Sequence, residues 1–274
     1  MRKPISTHPF ARGTSNRFGE SRLGSGLSAS NSNTRIVMPR TASPVAQIPP
    51  TSNHPSRMVN LGLNSERSRT TMVQRLRVQG ITDERVLAAM TAVPRHLFVD
   101  EGLASRAYED AALPIGFGQT ISQPWIVARM IAAVCETQVP RKVLEVGAGC
   151  GYQAAVLAQL INEVHAIERI KGLYDLARDH LNALSLLPKI RLAYADGMLG
   201  QPSAAPFDAI IVAAAGLKIP QALLDQLTIG GRLIAPEGST AQRLILIERI
   251  SANHWRRDEL ESVRFVPLRA GTQS

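Results

Sequence analysis

A chain of 274 residues, 45% hydrophobic and 19% charged, has enough apolar surface for one large domain or two small ones. It has no apolar run near the length of a membrane-spanning helix, and its two cysteines, Cys135 and Cys150, make neither a disulfide framework nor a metal site, so no membrane, no metal and a cytoplasmic setting are expected. The formal charge of +9 lies almost wholly in residues 1–69, where ten Lys or Arg face only Glu20 and Glu66; the remaining 21 basic and 20 acidic residues are nearly balanced, which argues against an obligate nucleic-acid partner.

Residues 1–65 are rich in Ser, Asn, Pro and Arg and show no apolar period. Such a segment cannot bury enough surface to offset its ordering entropy, and it reads as a disordered basic extension. Its Arg-rich, acid-poor composition is that of an organellar transit peptide, without the apolar stretch of a secretory signal. Residues 66–274 then read as one domain. A helix is expected from about Ser68, with Met72, Val73 and Leu76 on one face and Gly80 as its stop. Thr82 is the expected N-cap of a second helix, which carries Val86, Leu87 and Met90 and ends at Pro94. These two helices form an N-terminal cap on the rest of the domain.

The stretch Tyr108–Pro124 has no period, two glycines (Gly116, Gly118), two prolines and the hydroxyl pair Thr120 and Ser122, so it reads as a shaped loop beside a site. A helix follows to Cys135. The run Val143-Leu144-Glu145-Val146 then ends in Gly147, Gly149 and Gly151, and a helical pattern begins at once. Strand, glycine turn and helix N-terminus together make a nucleotide-type cradle. The spacing Gly-x-Gly-x-Gly departs from the dinucleotide pattern, and Glu145 at its mouth suits a cationic cofactor better than a pyrophosphate. Glu168 ends the next strand-like run, about 20 residues on, where an acid can hold ribose hydroxyls. Asp196 follows the third such run and can accept from an adenine amino group. S-adenosyl-L-methionine, with its sulfonium, ammonium and adenosine, fits these acids.

After the cradle, strand and helix alternate. Phe207–Val212 is a buried strand ending in the small residues Ala213, Ala214, Ala215 and Gly216, which leave room for a substrate. Pro220–Leu227 reads as a helix and Gly230-Gly231 as a turn into Arg232–Pro236. Leu244–Arg249 and Val263–Leu268 read as strands without intervening helices, paired antiparallel. The expected fold is α/β: a doubly wound, mostly parallel sheet of the Rossmann-like methyltransferase type with an antiparallel C-terminal edge.

From Thr70 to Leu268 the sequence resembles the bacterial protein-L-isoaspartate O-methyltransferase family. The resemblance rests most on Leu113–Gly116, on Gln119-Thr120-Ile121-Ser122-Gln123-Pro124 and on the glycine turn, with support from Glu168-Arg169-Ile170, Asp196-Gly197 and Phe207–Ala215. Ala148, Cys150 and Ala195 depart from the commoner family residues, each for another small one. The resemblance implies methyl transfer from S-adenosyl-L-methionine to the α-carboxyl of L-isoaspartyl residues in damaged proteins, which starts their repair. It implies Ser122 as the catalytic residue, and cofactor contacts at Gln119, Thr120, Glu145, Gly147, Gly149, Gly151, Glu168, Arg169, Asp196 and Gly197. Substrate contacts are expected from Thr120, Ile121, Ser122, Ala213, Ala214, Val266 and Leu268, in a monomer whose partners are damaged proteins or peptides. A carboxylate nucleophile is already ionised at neutral pH, so no strong base is needed beside Ser122. A methyltransferase for a small molecule or RNA, or a non-catalytic cofactor-binding protein, would share the cradle but not the Thr120–Ser122 loop.

Overall fold

The computed structural model describes the backbone of residues 56–274, with side chains from residue 65 onward. Most of the basic extension, residues 1–55, lies outside the described residues. Helix α1 runs Ser56–Val78, so residues 56–65, which the sequence assigns to the extension, belong to a helix. Met72 and Leu76 are fully buried on its inner face, and Gly80 follows its end at φ 96°. Helix α2 is Glu84–Ala92, and its cap is Asp83 rather than Thr82: the Asp83 side chain accepts from the Arg85 N–H, one residue closer to the first turn.

The stretch expected as a loop is a two-stranded ribbon. Strands β1 (Leu113–Gly116) and β2 (Gln119–Ile121) pair antiparallel with each other and with no other strand. Phe117 at φ 53° and Gly118 at φ 68° form the connection, and two left-handed residues match the twist of a tight hairpin. Helix α3 (Pro124–Cys135) follows, and the Trp125 N–H at its start is taken by Asp110 Oδ1 at 3.1 Å.

The main sheet has seven strands: β3 (Lys142–Val146), β4 (Glu163–Glu168), β5 (Ile190–Tyr194), β6 (Phe207–Val212), β7 (Leu227–Gly238), β8 (Gln242–Ser251) and β9 (His254–Val263). Their spatial order is β5-β4-β3-β6-β7-β8-β9. Strands β3 to β7 are parallel, and β8 and β9 are antiparallel to their neighbours. Helices α4 (Tyr152–Leu157), α5 (Lys171–Ala183) and α6 (Gln221–Asp225) connect the parallel strands. Val143 packs into the core on one face of the sheet, while Leu144 and Val146 pack into a separate core on the other. The order reverses between β3 and β6, and the crevice at such a reversal is where ligands enter open α/β sheets.

Three expectations at the C-terminal edge are corrected. The helix before β7 is shorter than Pro220–Leu227, because Leu227 already pairs with Phe207. Gly230 and Gly231 lie inside β7 at an irregularity in its pairing with β6. The third antiparallel strand is the charged His254–Val263, not Val263–Leu268. As the sheet's outermost strand, β9 keeps mostly polar residues facing solvent, whereas Val266–Leu268 is an extended segment bonded to Ala215 through Val266 O (2.8 Å) and the Leu268 N–H (2.8 Å).

Candidate active site

A cavity of about 400 Å3 opens at the carboxyl ends of β3, β4 and β6. Its floor is the glycine turn. Gly147, at φ 89°, turns its N–H back onto Ile167 O at 2.9 Å. A Cβ on Gly149 would lie 3.2 Å from Ile115 Cδ1, so the β1–β2 ribbon is laid directly over the turn. The ribbon's tip reaches α5, where a Cβ on Gly172 would fall 2.1 Å from Phe117 Cζ. The third glycine has another role. Gly151 does not line the cavity; it begins α4 at φ 88°, and a Cβ there would meet Leu181 of α5 at 3.2 Å. Its place in the expected cofactor set is therefore indirect: it sets the backbone and packs the helix.

The acids at the strand ends differ sharply. Glu168 is fixed: its two oxygens accept from the Gly149 N–H at 2.9 Å and the Ile170 N–H at 2.8 Å. Burial raises its carboxyl above the ordinary value, while these backbone donors pull the other way. Glu168 lines the cavity, and each oxygen retains acceptor capacity beyond its backbone donor. Glu145 is buried to 1% exposure, and its Oε2 has no partner among the described residues. Burial, and then the nearby Glu168, hold its carboxyl well above the usual carboxylate range. Gln153, also lining the cavity, has an unpartnered buried Nε2. An orphan acceptor and an orphan donor in one cavity call for a ligand carrying both a cation and an acceptor, since unpaired buried polar groups are costly. The ammonium and carboxylate of an S-adenosyl-L-methionine tail match that demand, and the pair of oxygens on Glu168 matches ribose hydroxyls.

Asp196 does not line the cavity. Its Oδ1 accepts from the Met198 N–H at 2.9 Å and its Oδ2 from the Gly271 N–H at 2.7 Å. Gly197 beside it does line the wall, in a space a Cβ would fill, 2.4 Å from Val146 Cγ1. Arg169 lines the cavity with its guanidinium turned to the 271–273 segment, donating to Gly271 O (2.8 Å) and Gln273 Oε1 (3.2 Å). Lys171 N–H to Gln273 O and Gln273 N–H to Arg169 O complete that clasp. No local sequence signal marks Gln153, Arg269 or Gln273 as lining residues, and the contacts that bring the last two to the rim span about a hundred residues.

Gln119, Thr120, Ile121, Ser122, Ala213, Ala214, Val266 and Leu268 all line the cavity. The Ser122 hydroxyl has no hydrogen-bond partner among the described residues, and no base stands beside it, so it is a polar group held ready for a ligand and not an activated nucleophile. His165, the histidine nearest in the sheet, is buried at the other end of β4 and bonded to Glu163 and Gln201.

The sequence pattern of the protein-L-isoaspartate(D-aspartate) O-methyltransferase family matches residues 67–273. A protein-L-isoaspartate O-methyltransferase of Bordetella petrii is 66% identical over 276 residues, covering 100% of both chains. One from Burkholderia pseudomallei is 58% identical over 213 residues, covering 77% of this chain and 66% of its own. Among solved structures, a chain from Plasmodium falciparum described as a protein-L-isoaspartate O-methyltransferase, in complex with S-adenosyl-L-homocysteine, superposes with a TM-score of 0.66 at 25% identity, covering 73% of this chain and 98% of that one.

Proposed function

The chain belongs to the protein-L-isoaspartate(D-aspartate) O-methyltransferase family, and from that premise we propose that it methylates the α-carboxyl of L-isoaspartyl residues in damaged proteins, using S-adenosyl-L-methionine. The observation that carries the reading is the division of one cavity. Orphaned Glu145 and Gln153 and the fixed Glu168 stand on the sheet side, and a hydroxyl-bearing ribbon without a base stands opposite.

The cofactor supplies an electrophilic methyl group on a sulfonium. The residues do the rest by binding and placement. Glu168 holds the ribose hydroxyls with oxygens already fixed by two backbone donors. Glu145 meets the cationic tail and Gln153 its carboxylate. The acceptor carboxylate arrives ionised, so Ser122 orients it through its hydroxyl and takes no proton. With the cofactor bound, its sulfonium would lose its charge together with the acceptor carboxylate, so the contribution of this chain's residues is a dry, closely fitted site. Asp196 and Arg169 serve the same end at one remove, by tying the 271–273 segment across the rim.

Labelled-methyl transfer to an L-isoaspartyl peptide and its L-aspartyl twin tests the reading. Label in the first and little in the second is expected, since a displacement near 1 Å can cost about a hundredfold in rate. Equal labelling of both overturns it. We further place the protein in the cytoplasm as a monomer. The buried free cysteines agree with a reducing compartment, and no described helix is long and apolar enough to cross a membrane. A chain beginning at Ser56 should keep its turnover, since the matched family region starts at residue 67; a folded but inactive product would assign the extension a part in the chemistry.

A further inference from the structure

The space beside Ser122 continues past it. A second cavity of about 340 Å3 lies on the far side, and Thr120, Ser122, Ala213 and Val266 face both cavities. An acceptor that offers its carboxylate to the main cavity at this shared wall has the rest of its chain in the second. An isoaspartyl residue within a protein has neighbours on both sides, each about 3.3 Å further along an extended chain, so the first flanking residues fall within this space.

The wall of the second cavity combines Trp125 and Ile126 with the extended segment Ser262–Val266. Among the described residues no acidic one lines it, and its only charged lining residue is Arg264. Arg269, at the rim of the main cavity, is likewise without a partner among the described residues, but four other arginines of this edge are matched. Arg129 bonds Glu261 at 2.7 Å, Arg243 bonds Glu259 at 2.8 Å, Arg256 bonds Glu248 at 2.6 Å and Arg257 bonds Glu237 at 2.8 Å. Arg264 is exposed and has no hydrogen bond or ion pair, from side chain or backbone, among the described residues. The segment around it is nevertheless held in place. Phe265 bonds both ends of its peptide to the Gln242 side chain, and Val266 O takes the Ala215 N–H. A fixed extended segment thus presents an unmatched guanidinium and an unmatched main-chain N–H and C=O to a groove that opens at Ser122.

We propose that the second cavity holds the residues flanking the isoaspartyl in the damaged polypeptide, and that Arg264 is a specificity determinant favouring an aspartate or glutamate side chain among them. The proposal rests on the methyl-transfer reading above. Main-chain pairing along Arg264 makes the groove tolerant of sequence, as strand addition does, and the guanidinium adds a charge preference to that tolerance.

The test uses isoaspartyl hexapeptides carrying a single Glu, Gln or Lys at each flanking position in turn, with methyl transfer measured for the full-length wild type, Arg264→Ala and Arg264→Glu. At one position at least, the wild type should use the Glu peptide roughly twofold to fivefold better than the Lys peptide, the size of an ion pair in a half-open groove. The difference should sit in KM, with kcat alike for the two peptides, and should shrink in 0.5 M salt. Arg264→Ala should level the two peptides and Arg264→Glu should invert their order. A wild type indifferent to flanking charge at every position, or a preference that survives Arg264→Glu, overturns the proposal while leaving isoaspartyl methylation standing. A wild type that labels no isoaspartyl peptide overturns the methyl-transfer reading, and this inference with it.

Discussion

Across the main cavity, one wall is the end of a parallel sheet and the other consists of short segments laid against it. The sheet wall is made of strand ends and a glycine turn whose backbone N–H groups are already taken, Gly147 by Ile167 O and Gly149 by the Glu168 carboxylate. The opposite wall is a ribbon paired only with itself and an extended segment tied on through Ala215. On the proposed reading, we expect the sheet wall chiefly to fix where the cofactor lies and the segments chiefly to set where the acceptor lies. Substitutions on the two walls should move different observables.

The largest effect is expected at Ser122. Ser122→Ala should lower kcat on the order of a hundredfold through lost placement, with cofactor affinity unchanged. Calorimetry alongside methyl transfer separates the two, and a parallel loss of affinity would mean that the walls do not divide the work. On the sheet wall, Glu168→Ala should weaken cofactor binding by about 1.5–3 kcal/mol, the worth of hydrogen bonds to a charged group, and leave the isoaspartyl-to-aspartyl ratio intact. An altered ratio would break the division from the other side.

Glu145 gives a smaller effect that depends on pH. Its carboxyl is raised in the folded protein above the ordinary 4.5, by burial and then by Glu168, so the fold without cofactor binds a proton that the unfolded chain releases. Its contribution to stability is full below about 4.5 and is lost as pH rises toward the folded value, at most about 1.4 kcal/mol per pH unit. Cofactor affinity should run the opposite way and tighten over the same window, because the bound cation wants the ionised form. Glu145→Gln should flatten both slopes; melting curves and titrations from pH 5 to 8 that keep their slopes in the variant would clear Glu145 of the effect. The smallest change is expected for Gly172→Ala. Its Cβ displaces the exposed Phe117 ring, which yields, so stability should shift by under about 0.5 kcal/mol while cofactor dissociation speeds up a few-fold in stopped-flow traces.

The same contrast decides what the sequence disclosed. The sheet wall was legible because its signals are local: β-branched runs, glycines at alternate positions and an acid at each strand end. The opposite wall was legible in membership but not in form. Gly116 and Gly118 read as loop residues, yet their positive φ, shared by Phe117, makes a hairpin, and nothing in a phenylalanine announces φ 53°. Strand β9 was missed because an outermost strand with charged residues lacks the alternation that marks a buried face. The strand-end position of Asp196 was legible, but of its two backbone donors Met198 is local while Gly271 is a contact no local pattern carries. Gly151 was grouped with its neighbours by spacing, although its own constraint comes from Leu181.

The ribbon has one more consequence. Strands β1 and β2 share no hydrogen bond with the seven-stranded sheet among the described residues, but Leu113 and Ile121 at the base of the ribbon are buried in one of its cores, so only the tip around Phe117, resting on Gly172, is free of that core. We therefore expect release of spent cofactor past this tip and melting of the domain to be separate quantities. Backbone amides at the tip of the ribbon, Gly116 to Gly118, should exchange with solvent through openings cheaper than global unfolding, and a sheet made more heat-resistant by substitutions in the core of Leu144 and Val146, which holds no ribbon residue, would keep its turnover rate at 25 °C.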